Sequence, residues 1–142
     1  MPTVNQILQS KGFDILTVDA DATVFNALEM MAEHSIGSLI VMDSEEVVGL
    51  LSERDYARSI ILKGRSSKDT KVKEIMTSHV VVVSPEQNIK ECMAIMTDKR
   101  VRHLPVMKDK KLVGIISIGD LVKAIIEEQQ FMIEQLVSYI NG

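Results

Sequence analysis

Two short segments of the chain carry a serine and an aspartate at the same spacing. Each segment has an apolar run, then Ser, two further residues and Asp, and the segments read L-L-S-E-R-D at 50–55 and I-I-S-I-G-D at 115–120. If a helix begins at the serine, its first N–H groups and its partial positive charge suit a phosphate. A carboxylate in the first turn can accept hydrogen bonds from two adjacent hydroxyls of a ribose. These residue types at this spacing therefore suit a nucleotide.

Helix capping is the alternative explanation, and each segment taken singly favours it. Ser followed three residues later by an acid is close to a capping box, in which side chains satisfy the first N–H groups of a helix. Three observations point beyond capping. Asp is shorter than the Glu or Gln of the usual box, the element occurs twice, and it follows Gly49 and Gly114, which allow close backbone approach.

The two segments belong to an internal duplication. Residues 15–58 align without a gap with residues 80–123 at an offset of 65, and nine aligned positions are identical. A repeat this short rarely buries its apolar face alone, so the two copies should pack together. Each copy predicts strand, helix, strand, strand and helix. The predicted strands are 15–18, 38–42, 47–51, 80–83, 103–107 and 112–116, and the predicted helix faces are Val24, Ala27, Leu28 and Met31 and then Ile89, Cys92, Met93 and Met96.

The segments outside the aligned repeats also carry information. V-N-Q-I-L at 4–8 is echoed by V-K-E-I-M at 72–76 with an offset of 68, and we expect each of these lead-ins to pack on the partner repeat. Residues 121–140 predict a long helix whose apolar stripe exceeds what a small repeat covers, so part of it should pack on the other repeat or on a second subunit. The predicted linear domains are 1–65, 66–127 and a helical extension at 128–142.

Composition excludes several classes of function. A net charge of −4 and a pI near 5.4 argue against nucleic acid as the main partner. The single cysteine, Cys92, excludes an internal disulfide and lies at an apolar helix position, which indicates a small buried hydrophobe. The sequence has no run near the roughly 18 apolar residues of a membrane span and no signal peptide at its start, which predicts no membrane association and a cytoplasmic protein.

The motifs resemble a known family. The two Ser-x-x-Asp segments and R-V-R-H-L-P-V at 100–106 are similar to a tandem pair of cystathionine-β-synthase (CBS) domains, called a Bateman module, in its small stand-alone form. The resemblance implies a mixed α/β fold of two β-α-β-β-α repeats related by a pseudo-twofold axis and followed by a C-terminal helix. It also implies a homodimer, a nucleotide in the cleft between the repeats, and no metal.

The ligand that the resemblance implies is an adenine nucleotide that acts as a regulatory signal. AMP is the first candidate, with ADP, ATP and NAD(H) as alternatives. The matching acids, Asp55 and Asp120, would hold the ribose hydroxyls, and Arg102 and His103 would meet phosphates, which agrees with the chemistry of a guanidinium fork beside an imidazole. The residues expected at the nucleotide are Thr17, Val18, Gly37, Ser38, Ser52, Arg54, Asp55, Val82, Val83, Arg102, His103, Leu104, Pro105, Ser117 and Asp120.

The two copies differ where phosphate binding is expected. Gly37 and Ser38 stand in the first copy where the second has Arg102 and His103, and Arg54 could compensate with a positive charge. Arg58, Lys63 and Arg65 could add phosphate contacts, although solvated surface charge is the favoured interpretation for them. The sequence therefore predicts two unequal sites.

The sequence leaves two other functions open. Ser117, His103 and Asp120 could form a nucleophilic triad, but Asp120 is three residues after the serine on one helix turn, where it is better placed to cap than to orient a histidine. No other catalytic motif is present, so we predict that the chain is not an enzyme. The second alternative is a ligand-free adaptor that dimerises through residues 121–140 and binds a protein partner. Our hypothesis is a non-catalytic nucleotide sensor whose repeat orientation a regulated protein reads.

Overall fold

The computed structural model describes the whole chain, Met1–Gly142, as two compact units. Unit 1 comprises Met1–Ile15 and Val81–Gly142, and unit 2 comprises Leu16–Val80. Each unit has its own apolar core. In chain order the elements are α1 (Val4–Lys11), β1 (Thr17–Asp19), α2 (Val24–His34), β2 (Ser38–Asp43), β3 (Glu46–Ser52), α3 (Glu53–Tyr56), α4 (Val72–Ile75), α5 (Ile89–Lys99), β4 (His103–Lys108), β5 (Lys111–Ser117) and α6 (Ile118–Asn141).

Unit 2 is a three-stranded sheet with a helix packed on it. β1 runs parallel to β2, and β2 pairs antiparallel with β3. Thr23 caps α2 by accepting a hydrogen bond from the N–H of Asn26, and the helix buries Val24, Ala27 and Met31, as its apolar spacing predicts. The predicted mixed α/β class and the predicted hairpin are confirmed.

The last predicted helix of the first repeat is shorter and less regular than expected. The sequence predicts a helix from Ser52 towards Leu62, but α3 ends at Tyr56 and is followed by a π-helical turn at Ala57–Ile61. Ile60 is the buried residue of this turn, so the wider turn still supplies one side chain to the core of unit 2.

Unit 1 repeats the hairpin as β4 and β5, but the predicted strand at 80–83 is wrong. Only one parallel bridge forms there, between Val83 and Val106. The N–H of Val83 donates to the carbonyl oxygen of Pro105 at 3.0 Å. The positions that would extend this ladder on either side are Pro85 and Pro105, and proline has no N–H to donate. Two prolines therefore reduce the strand to a bridge.

Each lead-in segment packs in the unit of the partner repeat, as expected. α1 contributes Val4, Ile7 and Leu8 to the core of unit 1, which otherwise consists of the second repeat. α4 contributes Val72 and Ile75 to the core of unit 2, which otherwise consists of the first repeat. The compact units therefore differ from the linear halves of the chain, while the predicted linear boundaries remain a prediction.

Two glycines allow the lead-ins to lie close to the hairpins. A Cβ atom on Gly114 would lie 2.7 Å from the side chain of Leu8. A Cβ atom on Gly49 would lie 2.5 Å from the sulfur of Met76 and 2.9 Å from the carbonyl oxygen of Thr77. All three distances are so short that a Cβ atom would force its neighbours to shift, so the expected close backbone approach is confirmed at both glycines.

The long helix α6 leaves the core after two turns. Leu121 is its one buried residue, and Ala124 and Ile125 pack against the core of unit 1. The apolar side chains beyond them are exposed, and they are Ile126, Phe131, Met132, Ile133, Leu136, Val137, Tyr139 and Ile140. Five of them lie on one side of the helix, and we name these the α6 apolar face: Ile126, Ile133, Leu136, Val137 and Ile140. No helix, α6 included, combines the length and the hydropathy that crossing a membrane requires.

The single cysteine is structural. Cys92 on α5 is fully buried in the core of unit 1. Its burial raises the pKa of the thiol to about 11, with a smaller contribution from the charge of Glu91. The sequence interpretation of a small buried hydrophobe is confirmed.

Candidate functional site

Both Ser-x-x-Asp elements form complete capping boxes. The Ser52 hydroxyl accepts a hydrogen bond from the Asp55 N–H at 3.2 Å, and Asp55 Oδ2 accepts one from the Ser52 N–H at 2.9 Å. The Ser117 hydroxyl and Asp120 Oδ2 repeat this pair at 3.1 and 2.8 Å. Aspartate is therefore long enough for the reciprocal cap, and its shortness no longer argues for a role beyond capping. Each cap uses Oδ2, which leaves Oδ1 of each carboxylate outside the capping box.

The caps also consume most of the free N–H groups at these helix starts. In unit 1 the Ile118 N–H donates to the carbonyl oxygen of Arg102 at 2.9 Å, and the Asp120 N–H donates to Ser117. The N–H of Gly119 is the one group of the first three without a partner. A phosphate at this position would consequently depend on side chains more than on the helix start.

In unit 2 the second carboxylate oxygen is already engaged. Asp55 Oδ1 accepts a hydrogen bond from the Thr77 hydroxyl at 3.3 Å. Thr77 follows α4 and is tied to β3 by two main-chain hydrogen bonds with Leu50, at 3.0 and 2.9 Å. All partners of Asp55 are neutral, and Arg54 is exposed and makes no ion pair with it.

In unit 1 a lysine takes the place of that threonine. Lys11, the last residue of α1, donates from Nζ to Asp120 Oδ2 at 2.5 Å and to the carbonyl oxygen of Ile115 at 2.9 Å. Ile115 is the counterpart of Leu50, so one ammonium group makes contacts for which unit 2 uses a main-chain N–H and a hydroxyl. Asp120 Oδ1 has no hydrogen-bond partner. Lys11 was not among the residues predicted from the sequence.

These contacts set the charge states at the unit 1 site. Burial raises the pKa of Asp120, but the hydrogen bonds and charge of Lys11 and the hydrogen bonds of Ser117 outweigh burial and hold the pKa below its usual range. Burial lowers the pKa of His103, and the charges of Lys11 and Arg102 lower it further against the opposing charge of Asp120. The site at neutral pH therefore pairs an ionised carboxylate with a neutral imidazole.

The hairpins place the predicted phosphate residues beside the capping serines. His103 lies opposite Ser117 in the β4–β5 pairing, and Arg102 is exposed directly before it. In unit 2, Ser38 lies opposite Ser52 in the same way, and the carbonyl oxygen of Gly37 accepts a hydrogen bond from the Glu53 N–H at 3.0 Å. Gly37–Ser38 and Arg102–His103 therefore occupy equivalent positions, and unit 1 carries an arginine and a histidine where unit 2 carries neutral residues.

The other predicted nucleotide residues differ in how accessible their side chains are. The side chains of Val18, Val83, Leu104 and Pro105 are buried. Thr17 is half-buried in β1, and Val82 is exposed beside the single bridge. Their assignment to a nucleotide remains a prediction.

Ser117, His103 and Asp120 are not arranged as a nucleophilic triad. Asp120 bonds to Lys11 and to the main chain of Ser117, and no hydrogen bond joins His103 to either residue. The prediction that the chain is not an enzyme remains a prediction.

A cavity of about 600 Å³ lies between α1 and α6 in unit 1. Lys11 and Asp120 reach its wall together with Lys123, while Ile7 and Phe131 supply part of its apolar lining. This volume falls in the range of small-molecule sites. Arg102 and His103 do not line the cavity, so it meets the candidate site at the Lys11–Asp120 pair alone.

Comparisons with known proteins agree with the motif resemblance. A family model described as CBS domain matches residues 5–62 and 72–127. The chain is 40% identical to the CBS domain-containing protein CBSX3, mitochondrial, of Arabidopsis thaliana, over 99% of this chain and 72% of that protein. Because this relative is described as mitochondrial, the cytoplasmic location of the present chain remains a prediction.

Solved structures show the same fold. A protein with CBS domains from Burkholderia ambifaria, described as a candidate signal-transduction protein, is 51% identical with a TM-score of 0.85, over 89% of this chain and 96% of that one. The hexameric CBS-CP12 protein from bloom-forming cyanobacteria is 30% identical with a TM-score of 0.75, over 86% of this chain and 70% of that one. The resemblance of the duplicated motifs to a tandem CBS pair is confirmed.

Proposed function

The chain belongs to the family of CBS-domain proteins, and on that premise we propose that it is a non-catalytic regulatory module that binds an adenine nucleotide. AMP is the first candidate, with ADP, ATP and NAD(H) as alternatives. The observation that carries the proposal is the environment of Asp120, a half-buried carboxylate whose Oδ1 has no partner, whose Oδ2 is paired with Lys11, and whose charge acts on His103, the residue next to Arg102.

The chemistry of this environment fits a ribose phosphate. The free oxygen of Asp120 can accept hydrogen bonds from ribose hydroxyls while Oδ2 continues to cap α6. Arg102 is exposed and makes no ion pair, so its guanidinium is available as a fork for phosphate oxygens. His103 is held neutral by burial and neighbouring cations, and a bound phosphate would favour its protonated form.

The two units should bind unequally. Unit 2 repeats the capped carboxylate as Asp55, but it has Gly37, Ser38 and Thr77 where unit 1 has its cationic or ionisable groups. We assign the stronger nucleotide site to unit 1. Occupancy of that site would be the signal that a regulated partner protein reads.

Isothermal titration of AMP into wild-type protein and Asp120→Asn tests the proposal. Asparagine keeps an oxygen for the Ser117 N–H, so the cap and the fold should survive. We expect Asp120→Asn to weaken AMP binding about tenfold or more, because a charge-assisted hydrogen bond is lost. Asp55→Asn is the matched control and should leave the stronger site intact. Unchanged AMP affinity in folded Asp120→Asn would contradict the assignment.

A ligand-free adaptor is the second candidate, and the α6 apolar face favours it. Its five exposed apolar side chains on one side of a helix suit association with a second copy of the chain or with a partner protein. Thermal-shift measurements with millimolar AMP, ATP, NADH and S-adenosylmethionine separate the two candidates, because a ligand that binds only the folded state raises the melting temperature. A shift with any of them supports the sensor, and no shift supports the adaptor.

A further inference from the structure

We propose that Lys11 makes the unit 1 site selective for phosphorylated ligands over the corresponding nucleosides. This inference rests on the proposed function and adds to it a residue that makes the site favour negatively charged ligands. The site on which it acts is the Asp120 carboxylate and the space beside it.

The position of Lys11 does not depend on Asp120 alone. One N–H of its ammonium group donates to Asp120 and a second donates to the carbonyl oxygen of Ile115 at 2.9 Å. The main-chain contact would keep the ammonium in place while Asp120 Oδ1 accepts hydrogen bonds from ribose hydroxyls. The side chain is 32% exposed, so the third N–H remains available to a ligand.

Lys11 changes the charge that an incoming anion meets. Asp120 is ionised at neutral pH, and a carboxylate without a cation would repel a phosphate. The paired lysine cancels that charge, so the positive charge of Arg102 is left to attract the anion. His103 faces Lys11, Arg102 and Asp120 and is neutral in the empty site.

Unit 2 has the same hairpin and capping box but no lysine paired with its capping aspartate. The Thr77 hydroxyl and N–H satisfy the equivalent groups, Asp55 and the Leu50 carbonyl, without adding charge. A phosphate at unit 2 would therefore meet the uncompensated carboxylate. At the carboxylate itself, the lysine makes the difference between a compensated and an uncompensated negative charge, in addition to the difference between Arg102–His103 and Gly37–Ser38.

The test compares AMP with adenosine in wild-type protein and Lys11→Met by isothermal titration. Methionine keeps an unbranched side chain of similar size and removes the charge. We expect the AMP affinity to fall about tenfold and the adenosine affinity to change less than about twofold, because the lost ammonium charge attracts a phosphate whereas adenosine carries no charge. Lys11→Arg keeps the positive charge and should retain the preference for AMP.

Lys90→Met is the matched control, because Lys90 is an exposed residue of α5 that makes no ion pair. It should leave both affinities unchanged. If Lys11→Met weakens AMP and adenosine equally, Lys11 only positions Asp120 and the selectivity inference is overturned. If the wild-type protein prefers AMP and Lys11→Met keeps that preference, the inference fails while the proposed function stands. If the wild-type protein binds neither ligand, both fail.

Discussion

Unit 1 and unit 2 fold the same hairpin onto the same capping box, yet they hold the capping aspartate with chemically different groups. Unit 1 uses the ammonium of Lys11, whereas unit 2 uses the hydroxyl and main chain of Thr77. The duplicated scaffold requires donors at two acceptors and does not require that they be of the same type. Sequence differences at such positions can therefore change the charge of a site and leave its fold intact.

The difference originates in the length of the lead-in helices. α1 has eight residues and ends at Lys11, so a long side chain reaches the end of β5. α4 has four residues, and the chain is extended at Met76, which lets the main chain of Thr77 pair directly with β3. The same two acceptors, a strand carbonyl and the capping aspartate, are therefore satisfied in two ways. Unit 2 uses a short helix followed by a bridge, and unit 1 uses a longer helix that ends in a lysine.

The largest effect that separates the units is expected at the two glycines beneath the lead-ins. Gly49→Ala should destabilise unit 2 by about 3 kcal/mol and Gly114→Ala should destabilise unit 1 by about 1–2 kcal/mol. The Cβ atom on residue 49 meets the main-chain oxygen of Thr77, which pairing with β3 holds in place, whereas the Cβ atom on residue 114 meets only the side chain of Leu8. Urea denaturation with hydrogen exchange resolved by unit measures both losses.

Gly119→Ala is the control for these substitutions. A Cβ atom there would have its nearest neighbour at 3.6 Å, so its stability should change by less than about 1 kcal/mol. Equal losses at residues 49 and 114 would show that the main-chain contact of Thr77 does not distinguish the units.

A smaller difference is expected when the partners of the aspartates are removed. Lys11→Met should cost about 1 kcal/mol at pH 7, because a partly buried ion pair is lost, and Thr77→Ala about 0.5 kcal/mol, because a weak neutral hydrogen bond is lost. The folded-state pKa of Asp120 lies below the usual 3.8. Its stabilising contribution is therefore present above 3.8 and is lost as the pH falls through the folded-state value.

Denaturation at pH 7 and again well below the usual aspartate pKa checks both statements. The gap between wild-type protein and Lys11→Met should shrink in acid, since the protonated carboxyl no longer forms an ion pair. A gap of the same size at both pH values would mean that Lys11 stabilises unit 1 through the Ile115 carbonyl and packing rather than through charge.

The smallest expected effect concerns His103, where unit 2 has a serine. The folded-state pKa of His103 lies below the usual 6.5, so the unfolded chain binds the proton first as the pH falls. Its contribution to stability is present above 6.5 and is lost as the pH falls through the folded-state value. His103→Ser should therefore reduce the pH dependence of stability below 6.5 by less than the Lys11→Met effect. His79→Ser, an exposed position of unit 2, gives the background.

Much of the fold follows from the sequence because local signals and the duplication agree. The helix face at Val24, Ala27 and Met31 is the buried one, and the lead-ins exchange between the units as their echo indicates. The strand predicted at 80–83 failed because apolar residues favour a strand, while Pro85 and Pro105 withhold the N–H groups that would pair it. Both prolines were visible in the alignment of the repeats.

The site was less predictable, for geometric reasons. The aspartates were found, but their reciprocal caps depend on how far a short side chain reaches from the third helical position. Lys11 was missed because the offset of 68 in the lead-ins aligns it with His79, whereas in space its ammonium takes the place of Thr77. An alignment of the two repeats compares residues at equal spacing. It cannot show that the side chain of one residue occupies the place of the main chain of a residue at another aligned position.

The exchange of the lead-ins also dictates the order in which this protein can form during synthesis. Unit 2 is one continuous stretch and is complete once Val80 has left the ribosome. Unit 1 needs both ends of the chain, so the apolar face of α1 must wait for residues 81–142 before it is covered. A cut between the repeats after residue 65 would leave each half with the lead-in that the other needs.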